Sequence, residues 1–152
     1  MPAMTIRLDQ LPAPSLPGGA YRPVVVHEGI AYVSGQLPRR DGVVRVTGLV
    51  GRDVDLEAAR QAARLCAMQC LAALAQELGG LERVVRLLRV TGYVACLPDF
   101  VQQPAVIDGA SEFFLEALGS RGEHARTAVS AAALPRGAAV EVELIAAVRE
   151  GR

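Results

Sequence analysis

Glu141 and Glu143 stand two residues apart in an apolar run that also holds Val140, Val142 and Leu144. On a strand that spacing turns both carboxylates to one face, roughly 6.5 to 7 Å apart. Carboxylates on a face that becomes buried need partners or a shifted protonation equilibrium, and such groups serve as general acids and bases. Arg126, at the start of the preceding apolar run, offers a guanidinium that can hold a carboxylate bidentately. His124, two residues before it, can act as acid or base near neutral pH. The same pattern also fits a solvated sheet face with a surface ion pair, and the residue types alone leave both readings open. Geometry adds a constraint. If the last two runs form a hairpin turning at Arg136, Glu141 lies opposite about residue 131, and Arg126 is roughly 16 Å further along. A site that uses both groups would then be assembled between subunits.

Other chemistry has thinner support. No Ser or Cys has an obvious partner for a triad, and His27 and His124 are too few to bind a metal without carboxylate help. Cys66 and Cys70 share a helix face but lack a third ligand, so with Cys96 they read as small buried hydrophobes. His27 falls at a hairpin tip, and Leu49 to Gly51 match no phosphate-loop pattern.

These groups must be positioned by 152 residues, a length suited to one domain, of which 51% are apolar. That fraction supports a real core and excludes disorder over most of the chain. Sixteen basic and sixteen acidic residues sum to zero, which argues against a general nucleic-acid binder. All sixteen basic residues are Arg, so no lysine Schiff base is possible; Arg and Ala richness also fits a GC-rich coding bias. No segment has the length and apolarity of a membrane span, the start lacks a signal-peptide pattern, and the cysteines are sparse. A cytoplasmic setting is expected.

Residues 1–20, with four prolines and two glycines, read as an extended leader. Arg22 to His27 and Ile30 to Ser34 flank Glu28-Gly29 as a hairpin, and residues 35–51 read as a loop with one short edge strand. Leu56 to Leu78 carries apolar residues at intervals of three and four. Asp55 is its N-cap, and Gly79-Gly80 its stop. Val84 to Cys96 reads as a strand with a bulge at Gly92, and a second helix ends at Leu118. Two further strands, Arg126 to Leu134 and Ala139 to Val148, are joined by a turn at Pro135-Arg136-Gly137. The order β-β-α-β-α-β-β implies an α+β fold with both helices packed on one face of a single sheet. The other face carries Val and Ile, which argues for burial against another subunit.

Several segments together resemble the Rid (YjgF) family of reactive-intermediate deaminases, in a longer-loop branch often labelled endoribonuclease-like. They are AYRPVVVHEGIAYVSGQLP (Ala20 to Pro38), the stretch from Asp55 to Val94, Asp99-Phe100, Glu112 to Phe114, and ARTAVSAAALPRGAAVEVELIA (Ala125 to Ala146). The resemblance covers nearly all of the chain after about residue 17. It implies a chorismate-mutase-like fold, one mixed sheet, a homotrimer with clefts at the subunit interfaces, and no cofactor or metal. It also implies hydrolysis of 2-imino acids and their enamine tautomers, such as 2-aminoacrylate, to 2-keto acids and ammonia. The family's carboxylate-binding arginine falls on Arg126 and its water-orienting acid on Glu141 rather than Glu143. Its substrate-contacting positions fall on Tyr21, Ser34, Gly35, Gln36 and Ala128. The sequence departs from the pattern at His124 (usually Pro), at Ala128 (often Cys) and at Arg22-Pro23 (usually Ser-Gln). Arg22 and His124 are therefore expected to alter the width or charge of the cleft.

The expected ligand is a small imino or keto acid, with neither nucleic acid nor membrane as a partner. The alternative from another class is a non-catalytic trimer that senses a small carboxylate in the same cleft. An endoribonuclease is disfavoured by the neutral charge and the lack of an aromatic–basic platform.

Overall fold

The computed structural model describes residues 6–151. The first five residues of the expected leader lie outside the described residues. The rest of the leader has no regular structure except a short 3-10 turn at Leu8–Gln10, bends at residues 18–20, and packs Ile6 and Leu11 against the core.

Two hairpins follow. β1 (Val24–His27) and β2 (Ile30–Gln36) pair through Glu28-Gly29, both with positive φ, as a two-residue primed turn requires. In place of one edge strand, residues 35–51 contain a second small hairpin. β3 (Arg39–Arg40) and β4 (Val43–Val44) turn through Asp41-Gly42, again both with positive φ.

Helix α1 (Leu56–Leu78) has the expected ends. The Asp55 carboxylate accepts the Ala58 N–H at 2.8 Å, and Gly79 leaves the helix with φ 74°. Replacing such an N-cap by Ala costs about 1 kcal/mol. Helix α2 (Gln103–Leu118) buries Val106, Ala110, Phe113, Phe114 and Ala117. Gly109, a poor helix former, has a packing reason here: a Cβ would lie 2.1 Å from the Arg60 carbonyl oxygen of α1. The helices therefore touch backbone to backbone, and Arg60–Glu112 and Arg64–Glu116 ion pairs close the rim, each at 2.9 Å.

The main sheet has the order β1-β2-β7-β5-β6, with β5 (Val84–Ala95) parallel to β6 (Ala125–Ala131) and antiparallel to β7 (Val140–Val148). It is a mixed sheet with both helices on one face, as expected. Two expectations fail. β6 and β7 do not form a hairpin, because β5 lies between them. A parallel β5–β6 pair needs a crossover, which α2 supplies, and residues 132–139 then carry the chain past the end of β5 to its other side. Gly92 is not a bulge either. The register slips nearer the start of β5, between Val84 and Arg86 and between Leu87 and Arg89. Gly92 instead admits Ile107 of α2, whose Cδ1 would lie 2.4 Å from a Cβ there.

Val140, Val142, Leu144 and Ala146 are buried beneath the helices, in strict alternation with Glu141, Glu143, Ile145 and Ala147 on the other face. That face is open in a single chain, with Val25, Tyr32 and Val129 exposed on it. Among the described residues no helix is long and apolar enough to cross a membrane.

Candidate functional site

The two carboxylates stand where β2 changes register. Between Val33 and Gln36 the β2 strand carries one residue more than β7, so Ser34 and Gly35 together face Glu143. Bulges of this kind re-aim side chains beside binding sites. Glu141 folds over Gly35, where a Cβ would lie 2.6 Å from Glu141 Oε1. A side chain at this position would push the Glu141 carboxylate out of its present place.

The two glutamates have different surroundings. Glu143 accepts a hydrogen bond from the Tyr93 hydroxyl at 2.5 Å, and this bond, with burial adding to it, pushes the phenol up to about 12. Glu141 has no hydrogen-bond donor among the described residues. Burial, and then the negative charge of Glu143, raise its carboxyl above the ordinary value. A carboxylate in that state is a stronger base than one in water.

Both glutamates line a cavity of about 610 Å³ together with Tyr21, Ser34, Gly35 and Gln36. Ser34 donates its hydroxyl to the Arg22 carbonyl at 2.7 Å, and the Gln36 amide donates to the Ser34 carbonyl at 3.1 Å. The Gly18 N–H donates to the Tyr21 hydroxyl at 3.4 Å. Six expected residues thus meet in one place. Arg22 contributes only its carbonyl, and its side chain does not line the cavity.

A buried amide holds the leader wall of this cavity. Gln69 of α1 is 1% exposed, and its oxygen accepts from both the N–H and the hydroxyl of Ser15, each at 3.1 Å. Its nitrogen donates to the carbonyls of Ala13 at 3.3 Å and Arg39 at 2.8 Å. Every hydrogen-bonding position of the amide is used, which ties residues 13–15 and β3 to the helix.

Arg126 lies elsewhere. It pairs with Val90, and Ala128 pairs with Gly92, so both face the helices, whereas Glu141 pairs with Tyr93 on the open face. Arg126 Nη1 donates to Asp108 Oδ1 at 2.7 Å and to Ser111 Oγ at 3.1 Å, both on α2. Among the described residues its Nε and Nη2 hydrogens have no partner. His124 completes the cluster: Nε2 lies 2.9 Å from Ser111 Oγ, and Nδ1 lies 2.6 Å from the Gly122 carbonyl. The carbonyl can only accept, so Nδ1 carries the proton and Nε2 accepts from Ser111. Burial lowers the His124 pKa, and the Arg126 charge lowers it further, which favours the neutral ring. Arg126 and Glu141 thus occupy opposite faces of the sheet and do not meet within one chain.

Several functional candidates escaped the sequence reading. Asp108 and Ser111 sit three residues apart on one helix face, a legible signal once Arg126 is suspected. Gln69 is a lone amide within an Ala, Cys and Leu run, which is also a signal. Arg39 and Arg136, which line the Glu141 cavity, carried none. Arg136 holds a left-handed backbone at φ 58°, an arrangement that costs a non-glycine residue about 1–2 kcal/mol. The three cysteines are buried, and burial pushes the Cys66 and Cys70 thiols up, so they are poor nucleophiles. Among the described residues no three His, Cys, Asp or Glu side chains converge as a metal site requires.

The family model described as "YjgF/chorismate_mutase-like, putative endoribonuclease" matches residues 5–148. The chain is 39% identical over 137 residues to protein TCP17 of Trypanosoma cruzi, covering 90% of this chain and 86% of that protein. Its fold is similar to that of Atu1372 from Agrobacterium tumefaciens, a protein of unknown function. The identity is 46% and the TM-score 0.83, over 84% of this chain and 82% of the other. A Shewanella oneidensis MR-1 protein named a "putative endoribonuclease" superposes with a TM-score of 0.89 at 28% identity, over 91% and 92% of the two chains.

Proposed function

Since the chain belongs to the YjgF/chorismate-mutase-like (Rid) family, we propose that it hydrolyses 2-imino acids and their enamine tautomers to 2-keto acids and ammonia, at clefts shared between three copies of the chain. The observation that carries this reading is the state of Glu141: a half-buried carboxylate without a hydrogen-bond donor among the described residues, raised in basicity, lining an open cavity.

The imine carbon is already electrophilic, so three tasks remain: holding the substrate carboxylate, placing water, and moving protons. Arg126 of the partner subunit holds the carboxylate through Nε and Nη2, while Asp108 and Ser111 fix Nη1. Glu141 takes a proton as the water oxygen bonds to C2, the C=N π pair moves to nitrogen, and Glu141 returns the proton there. Collapse of the resulting carbinolamine re-forms a carbonyl and expels ammonia, with Glu141 again carrying the proton. An enamine is first protonated at C3 and gives up one N–H proton, which yields the same imine.

The placement of the two groups supports sharing between copies. β6 is an edge strand with an unpaired outer side, and the open face exposes Val25, Tyr32 and Val129. A neighbouring copy that covers this face can bring its own Arg126 to the Glu141 cavity. The neutral net charge disfavours RNA as the substrate.

The test generates imines with an amino-acid oxidase and follows their decay with and without the protein, alongside light scattering. Accelerated decay and a mass about three times that of the chain are expected. A monomer at micromolar concentration, or unaltered decay for every imine tried, overturns the reading.

A further inference from the structure

We propose that the ligand of the Glu141 cavity carries two acidic groups, and that Arg39 and Arg136 bind the second one. This rests on the deaminase reading above and narrows its substrate class to 2-imino dicarboxylates, the imines of acidic amino acids.

Four observations support it. First, two guanidinium-bearing residues, Arg39 and Arg136, line this cavity in addition to the Arg126 that the deaminase reading assigns to the carboxylate next to the imine. Second, neither Arg39 nor Arg136 enters an ion pair among the described residues, so both guanidinium groups are open to a ligand. Third, both positions are built. The Arg39 carbonyl is held by buried Gln69 at 2.8 Å, and β3 is set by the tight Asp41-Gly42 turn. Arg136 adopts a backbone that glycine would take without strain, yet an arginine side chain occupies it. Fourth, the cavity of about 610 Å³ is roomy for a three-carbon imine.

Charge balance points the same way. Glu141 and Glu143 would repel a side-chain carboxylate entering alone, and two guanidinium groups offset that repulsion.

The experiment measures imine hydrolysis with substrates generated from aspartate or glutamate and from alanine or methionine. The wild type is expected to favour the acidic imine by about tenfold or more in kcat/KM. In Arg39→Gln with Arg136→Gln, the ratio of acidic to neutral efficiency falls by about ten- to hundredfold, the worth of hydrogen bonds to charged groups. Arg136→Gly separates function from folding, because it relieves the backbone: the melting temperature rises while the ratio falls. Neutral imines turned over as fast as acidic ones, or a ratio unmoved by the variants, overturn the proposal and leave the deaminase reading standing. Calorimetry with stable keto acids covers the case in which no imine is hydrolysed. Tighter binding of 2-oxoglutarate than of 2-oxobutanoate, lost in the double variant, then supports the ligand class while the deaminase reading falls. Equal or absent binding overturns both.

Discussion

The carboxylate of Glu141 and the guanidinium of Arg126 lie on opposite faces of one sheet, and their surroundings differ as much as their positions. Glu141 sits over a glycine bulge with a second carboxylate nearby and no donor among the described residues, so its charged form is penalised. Arg126 has one nitrogen fixed by Asp108 and Ser111, with His124 holding Ser111 in turn. One region keeps a reactive group in an unfavourable state. The other aims an unreactive group. A proton carrier gains basicity from poor solvation, whereas an anchor gains from having its orientation settled before the ligand arrives. The sheet keeps the two regions apart, so neither region neutralises the other.

The largest expected effect tests that separation. Arg126→Ala and Glu141→Gln should each be nearly inactive alone. Unfolded and refolded together as mixed trimers, they should regain about a quarter of wild-type sites, those that draw both intact residues from different copies. Failure to regain activity, with trimers confirmed by light scattering, would mean that the two residues do not share a site across an interface.

Glu141→Gln taken alone should lower kcat by about a hundredfold or more, the usual worth of a general base. It should also stabilise the fold at neutral pH. The Glu141 carboxyl is raised in the folded state, so folding favours its protonated form. Wild-type stability from this group is present below the unfolded value and lost as pH rises through the folded one. The glutamine variant escapes that loss, so its advantage in melting temperature should grow from pH 4 towards pH 8. A constant difference across that range would show that Glu141 is not strained. Arg126→Lys should cost about ten- to hundredfold in kcat/KM, because a point charge cannot replace two parallel N–H donors and leaves Asp108 imperfectly matched.

The difference between the two regions also marks what could be read in the sequence. The open-face carboxylates were legible because period-two alternation around Val140 and Val142 fixes their side, and the helices because their caps and apolar stripes are local signals. The strand neighbours of Arg126 were not. A Pro-Arg-Gly turn between two apolar runs looks like a hairpin, and nothing local says that β5 occupies the place between β6 and β7. Strand order is decided by the α2 crossover, a long-range pairing that leaves no mark at the turn itself. Arg136 was invisible for the same reason: its role depends on which strands that turn joins.

A smaller effect separates the two glutamates. Glu143→Gln keeps an acceptor for the Tyr93 hydroxyl but removes the charge that helps raise Glu141. The rate at neutral pH should change by only a few-fold. The acid limb of the kcat/KM profile should move to lower pH, because Glu141 then loses its proton more readily. An unmoved limb would show that another group sets it. A collapse in rate as large as that of Glu141→Gln would place the base at Glu143.

The smallest expected effect lies on the Arg126 side and concerns His124. Its ring is faced by Ser111 and Phe114 of α2, the Gly122 carbonyl and Arg126 of β6, with Asp108 balancing that guanidinium. Burial and then the Arg126 charge lower its pKa from the ordinary value of 6.5. The unfolded chain therefore takes up a proton on acidification before the folded chain does. The stability present above pH 6.5 is lost as pH falls through the lowered folded value. His124→Asn can still donate to Gly122 but no longer reaches Ser111, so at pH 8 it should be less stable by about 1 kcal/mol, the worth of one hydrogen bond. Asparagine does not titrate, so this gap should narrow as thermal melts are taken from pH 8 down to pH 5. A gap that stays constant would mean that His124 is solvated in the folded protein, and that Arg126 is held by Asp108 alone rather than by the chain through Ser111.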